Sequence, residues 1–245
     1  MDEHLVNKFF DINKLPPEEG ILVFPISMSR ISNAQSAKKC WEYLQNFSPS
    51  KVIKPLLGLN IIYGDFLYFN SDEKASTLKN KFMSLTLSHK NELMKIIKKN
   101  QFSIGKAFSF TSWNQALLEH KDFINYLGQL KRIYKEDKVF QKYLKEDLKI
   151  NQKLDENQIN FFLEETLLFY LTIKGKGNLP NGYIEGHEKW ILWCYPGKPL
   201  KIQIYVLQNN FLKLKNPKNT YENSFYDLEE KKLYDFAKID LEKLS

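Results

Sequence analysis

The chain has 245 residues, 43% hydrophobic and 14% aromatic, enough apolar surface for a real core in one large domain or two small ones. Its 36 Lys and Arg against 29 Asp and Glu give a net charge of +7, which suits a polyanionic partner if the charge is localised. No apolar run reaches the roughly 18 to 20 residues that span a bilayer, His4, His89, His120, His187, Cys40 and Cys194 lack metal-ligand spacing, and the acidic start Met1-Asp2-Glu3-His4 leads into no signal-type apolar core, so a cytoplasmic protein without membrane or metal is expected.

The first predicted strand, Gly20–Ile26, runs into Pro25-Ile26-Ser27-Met28-Ser29-Arg30-Ile31-Ser32-Asn33. No glycine lets the backbone approach a pyrophosphate there, which argues against NAD or FAD. The segment offers hydroxyls instead, at the carboxyl end of a strand where open α/β sheets hold ligands. Ser27 is the first candidate, with Ser29 and Ser32 behind it, although a serine there also serves as a cap or turn residue. A helix is predicted over residues 33–47 and a second strand over 59–69.

The next helix, over residues 72–100, localises charge. Projected from Lys74, residues Lys81, Lys95, Lys98 and Lys99 share an arc of about 120°, with Leu78, Phe82, Leu85, Leu93 and Ile96 opposite. This reads either as a solvated basic face or as a surface for phosphates, whose binding is steeply salt-dependent. A third strand is predicted over roughly 102–110. Its Gly105-Lys106 is followed by Ala107 and lacks an upstream glycine, so no nucleotide-binding P-loop is present. One or two helices are predicted over 112–149.

The helix predicted over 155–173 opens on the capping box Asp155-x-x-Gln158. On its projection Asn157, Asn160 and Glu164 form a polar stripe toward water, whereas Glu165 falls between Phe161 and Phe169. A carboxylate there needs a partner or a raised pKa, and such groups concentrate at active sites as well as in buried ion pairs. The strand predicted over 189–195 delivers the Tyr195 hydroxyl, just before Pro196, to the same sheet edge as Ser27. A last strand is predicted over 200–207. Beyond about residue 209 the chain turns polar and closes in a charged amphipathic tail, 227–244. Strands separated by long helices indicate an α/β fold with a largely parallel sheet flanked by helices. One domain, 1–245, is expected, with a core of about 20–208 and a C-terminal appendage, 209–245.

In this order and spacing, Pro25-Ile26-Ser27, Phe161-x-x-x-Glu165 and Cys194-Tyr195-Pro196 resemble the motifs of the tRNA-dependent cyclodipeptide synthases. The resemblance runs over most of residues 20–208. In that family a first-strand Ser carries the aminoacyl group, a helical Tyr and a Glu four residues later bind the substrate amino group, and a strand-end Tyr assists cyclisation. The resemblance implies a Rossmann-like fold similar to the catalytic domain of class I aminoacyl-tRNA synthetases, and a monomer that uses neither cofactor nor metal. It implies that two aminoacyl-tRNAs per cycle form a cyclic dipeptide by a ping-pong route through an aminoacyl-serine and a dipeptidyl-enzyme. Ser27 would be the nucleophile, Glu165 would hold the ammonium and Tyr195 would relay a proton. Val23, Pro25, Leu168, Phe169 and Trp193 would surround the first aminoacyl side chain, and the stripe Lys74, Lys81, Lys95, Lys98 and Lys99 would meet the tRNA. Arg30 and Tyr195-Pro196 place the chain in the branch with Pro after the strand-end Tyr. Phe161 departs from the usual Tyr, and Leu167 from a frequent Pro. Rival readings are a non-catalytic tRNA- or RNA-binding protein on a synthetase-like fold, and a small-molecule transferase.

Overall fold

A computed structural model describes residues 20–45, 56–64, 73–100, 107–113, 122–148, 156–174, 190–214 and 224–244. In chain order the elements are β1 (Gly20–Ile26), α1 (Ala37–Leu44), β2 (Leu56–Tyr63), α2 (Glu73–Lys99), β3 (Ala107–Ser112), α3 (Phe123–Glu136), α4 (Lys138–Leu148), α5 (Glu156–Ile173), β4 (Trp190–Tyr195), α6 (Lys201–Asn209), β5 (Ser224–Asp227) and β6 (Lys232–Asp235). The strands form one sheet in the order β3-β2-β1-β4-β5-β6. The first five run parallel, and only β6 pairs antiparallel, with β5.

Parallel strands buried on both faces read as continuous apolar runs, and β1 shows why. Leu22, Phe24 and Ile26 pack with Cys40 and Leu44 of α1 and Leu93 and Ile97 of α2. Val23 points the other way, into the core made by α3, α4, α5 and α6. The sheet is thus covered on both sides, with the basic helix on one and the Glu165 helix on the other. β1 pairs with β2 on one side and β4 on the other, so the chain direction across the sheet reverses between β1 and β4. Their carboxyl ends open the crevice in which folds of this type bind ligands.

Four expectations are corrected. Residues 200–207 alternate apolar and polar like a half-buried strand, yet most of them lie in α6. The helix buries Ile202, Gln203, Ile204, Val206 and Leu207 on several sides at once, which erases its amphipathic signature. Its first turn is capped from outside: the Asp147 carboxylate of α4 accepts from the N–H groups of Lys201 and Ile202, at 2.9 Å each. Ser112 is the last residue of β3 rather than the first of a helix, the helical residue Trp113 following it directly, and Asp137 separates α3 from α4 by accepting from the N–H groups of Val139 and Phe140. The polar tail is no mere appendage to the sheet, because β5 and β6 extend it beside β4. The second strand runs Leu56–Tyr63 rather than 59–69; residues 65–69 and 101–106 lie outside the described part.

Candidate active site at the carboxyl ends of β1 and β4

A cavity of about 320 Å³ opens at this crevice. β1 and its following turn contribute Pro25, Ile26, Ser27, Ser29 and Arg30; the β4 end contributes Trp193, Tyr195 and Lys198; and α5 contributes Phe161, Phe162 and Glu165. Six of its sixteen lining residues are aromatic, Trp113 after β3 and Phe225 on β5 among them.

Ser27 leaves β1 at the start of a compact turn in which the Arg30 N–H donates to Ser27 O at 3.0 Å. Its own N–H donates to Gln35 Oε1 at 2.8 Å, and its Oγ lies 2.9 Å from Ser29 Oγ. The end of β2 closes on the same place, the Gly64 N–H donating to Ile26 O at 2.9 Å.

Arg30 crosses the crevice. Its Nη1 donates to Pro196 O at 2.8 Å, and its guanidinium lies 5.3 Å from the centroid of the Tyr195 ring. The turn beyond Tyr195 needs Gly197, whose φ of +109° disfavours any side chain. The Gly197 N–H donates to Asp227 at the end of β5 at 3.0 Å, which ties this turn to the sheet extension. Burial pushes the Tyr195 phenol up to about 12, while the Arg30 cation and a hydrogen bond with Ser27 pull it the other way. Tyr195 therefore keeps its proton at neutral pH.

Glu165 reaches the cavity from α5. Burial, and then the Asp147 carboxylate, push its carboxyl up to about 7, and Arg30 partly offsets both. Asp147 is itself raised to about 6 by burial, although the two N–H groups it caps favour its charge. Near neutrality Glu165 thus divides between acid and carboxylate, the condition a proton-transferring group requires. Phe161 and Phe162 flank it as an edge-to-face pair with centroids 4.8 Å apart.

Neither a protein-family model nor a curated protein matches the sequence. Solved structures do match. A cyclodipeptide synthase from Fluoribacter dumoffii is similar at a TM-score of 0.55 and 12% identity, over 82% of this chain and 87% of that one. A Mycobacterium tuberculosis protein, whose structure relates cyclodipeptide synthetases to type I tRNA synthetases, is similar at 0.50 and 11%, over 85% and 84%. The fold is that of the cyclodipeptide synthases. At such identities the likeness concerns the fold, a mostly parallel Rossmann-like sheet flanked by helices.

On this synthase fold, Ser27, Glu165, Tyr195, Phe161, Pro25 and Trp193 come together at one cavity. Val23, Leu168 and Phe169 do not line it. They are fully buried in the core behind it, where Phe169 meets Trp193 edge to face at 5.1 Å. The polar stripe expected on α5 is also corrected: Asn160 and Glu164 are buried, at 4% and 7% exposure. The projection presumed one wet face, but α5 is packed against the sheet, α3 and α6. Lys81, Lys95, Lys98 and Lys99 are all exposed on α2, and the Lys74 side chain lies outside the described residues. Among the described residues no group of His, Cys, Asp or Glu could hold a metal ion, and no helix is long and apolar enough to cross a membrane.

Sequence reasoning missed Gln35, Asp147, Trp113, Phe162 and Phe225, and used Arg30 only as a branch marker. One signal was legible: Arg30 is one of two arginines in a chain otherwise supplied with lysine. Arginine is the residue suited to a bonded and stacked position of this kind.

Proposed function

We propose that the protein is a cyclodipeptide synthase of the branch with Tyr-Pro at the strand end, joining two aminoacyl groups delivered by tRNA. The observation that carries this reading is the convergence of Ser27, Tyr195 and Glu165, from three separate elements, on one cavity at the switch point of the sheet. An aminoacyl-tRNA ester is already activated, so the site needs a nucleophile, proton carriers and a pocket.

Ser27 Oγ attacks the ester carbonyl of the first aminoacyl-tRNA. The C–O bond to the ribose breaks, the ribose oxygen leaves with a proton, and an aminoacyl-serine remains. The amine of that group then attacks the ester of a second aminoacyl-tRNA, releasing its tRNA and leaving a dipeptidyl ester on Ser27. Attack in the opposite sense would leave the dipeptide on tRNA. The terminal amine finally attacks the Ser27 ester, which closes the six-membered ring and restores the hydroxyl.

Glu165 pairs with the ammonium of the first aminoacyl group and takes its proton, a transfer its value of about 7 suits at neutral pH. Tyr195, which keeps its proton, serves Ser27 as donor and relay. Phe161 carries no hydroxyl for the amine, so the charge of Glu165 does more of the holding. Pro25, Trp193 and the phenylalanines select apolar side chains. The exposed lysines of α2 bind tRNA through its phosphates, by shape more than by sequence.

Incubation with radiolabelled aminoacyl-tRNA tests the assignment. A covalent label that Ser27→Ala abolishes, with cyclic dipeptides detected by mass spectrometry, is the expected result. Retention of tRNA without a label would make the protein an RNA binder, and neither outcome would leave a small-molecule enzyme.

A further inference from the structure

Ser27 lies beyond the end of β1, where no ladder holds it, and a nucleophile misplaced by about 1 Å can lose about a hundredfold in rate. The side chain of Gln35, fully buried, spans this end of the strand. Its Oε1 accepts from the Ser27 N–H at 2.8 Å, and its Nε2 donates to Pro25 O at 2.7 Å. Both halves of one amide thus fasten the backbone on either side of Ile26. The Gln35 N–H donates to Arg30 O at 2.9 Å, so the residue also closes the far end of the turn.

Gln35 is anchored in its turn from α2 and α1. Its carbonyl oxygen accepts from His89 Nε2 at 2.8 Å and from the Cys40 thiol at 3.2 Å. A nitrogen that faces a carbonyl must carry the proton, so His89 Nδ1 accepts from the Tyr63 hydroxyl at 2.8 Å. Burial holds the imidazole below its ordinary pKa, in keeping with this neutral form. His89 belongs to the helix whose outer face exposes Lys81, Lys95, Lys98 and Lys99.

We propose that Gln35 is the positioning residue of the nucleophile: its amide sets the backbone of Ser27, and His89 braces it against the basic helix. This rests on Ser27 being the residue acylated. The geometry has a chemical corollary. The Ser27 N–H is committed to Gln35 and the Arg30 N–H to Ser27 O, so an oxyanion formed on acylation must draw its donors from other groups.

Single-turnover acylation by radiolabelled aminoacyl-tRNA, measured beside tRNA affinity, tests the proposal. Gln35→Ala is expected to slow acylation about thirtyfold or more, with tRNA affinity within about threefold of wild type. Gln35→Glu is diagnostic, because only a protonated carboxyl can both accept from Ser27 and donate to Pro25. Its rate, divided by that of wild type at each pH, should approach one at pH 5.5 and fall steadily toward pH 8. A flat ratio, or Gln35→Ala acylating within about threefold of wild type, would overturn the proposal. If Gln35→Ala does not fold, the Gln35→Glu ratio decides. If wild type itself takes no label, the proposed function fails, and backbone hydrogen exchange over residues 26–30 decides the positioning role separately. Faster exchange in the Gln35 variants supports it, and unchanged exchange overturns it.

Discussion

Ser27 and Glu165 face one cavity from different parts of the fold, and their surroundings differ in kind. Beneath Ser27 the polar groups of Gln35, His89 and Tyr63 pair with one another at 2.7 to 2.8 Å. Around Glu165 stand phenylalanine rings, a second carboxylate at Asp147 and the Arg30 cation, in a cavity that Lys198 also lines. The first arrangement places an atom, and the second tunes a proton. Satisfied buried hydrogen bonds rigidify their neighbourhood. A buried, poorly compensated carboxyl destabilises the folded state and acquires a useful pKa in return.

The largest test of this contrast is Glu165→Gln. Product formation should fall by about 10² or more, the usual scale for losing a positioned proton carrier. Stability should move the other way. The Glu165 carboxyl titrates near 7 in the folded protein against an ordinary value of 4.5. Between these values the folded state holds more protons than the unfolded one, so wild-type stability falls as pH rises through the window. The glutamine variant escapes that loss and should be about 1 to 3 kcal/mol more stable at pH 8, measured by denaturant titration. A destabilised variant would show Glu165 to be as well paired as the groups under Ser27, and the contrast would collapse.

Arg30→Gln comes next. Removing the cation lets the Glu165 carboxyl rise further, so the acid limb of the pH–rate profile should move to higher pH, with about a tenfold loss of rate at pH 7. A slower enzyme with an unmoved profile would limit Arg30 to its bond with Pro196 O.

Charge reversal at Lys95 and Lys98 should act on binding and leave the acylation rate at saturating tRNA nearly unchanged. The slope of log affinity against log salt should flatten by about one for each phosphate that no longer meets a lysine. An unchanged slope would move the RNA surface off α2.

The smallest effect belongs to Asp147→Asn. Loss of the second carboxylate should shift the acid limb slightly to lower pH, and the weakened cap on α6 should cost about 1 kcal/mol. Equal shifts in Asp147→Asn and Arg30→Gln, in the same direction, would contradict the opposite signs of their fields at Glu165.

How much of this was legible follows from the range of the interactions. β1 and β4 stand where the β-branched and aromatic runs put them, because a strand buried on both faces is written in consecutive residues. The apolar run of α5 was equally local; Asp155 of the expected capping box lies outside the described residues. α6 was not, because its first turn is capped by a carboxylate more than 50 residues away in the chain and its burial hides its period. Asn160 and Glu164 misled for a related reason: amphipathic projection knows one neighbour, and α5 has several.

By itself the sequence determined the alternation of strands and helices, the absence of a glycine-rich phosphate turn, the basic face of α2, and the presence of a serine, a glutamate and a tyrosine in suggestive settings. Each of these depends on neighbours within a few residues. Tertiary structure decided that the three meet at one crevice, that Gln35 holds the turn below, and that Arg30 spans from β1 to Pro196, 166 residues along the chain. It also decided the protonation of Glu165. A pKa reports the summed field and solvation of groups from α4, α5 and the β1 turn, and only packing brings those groups within range of one another.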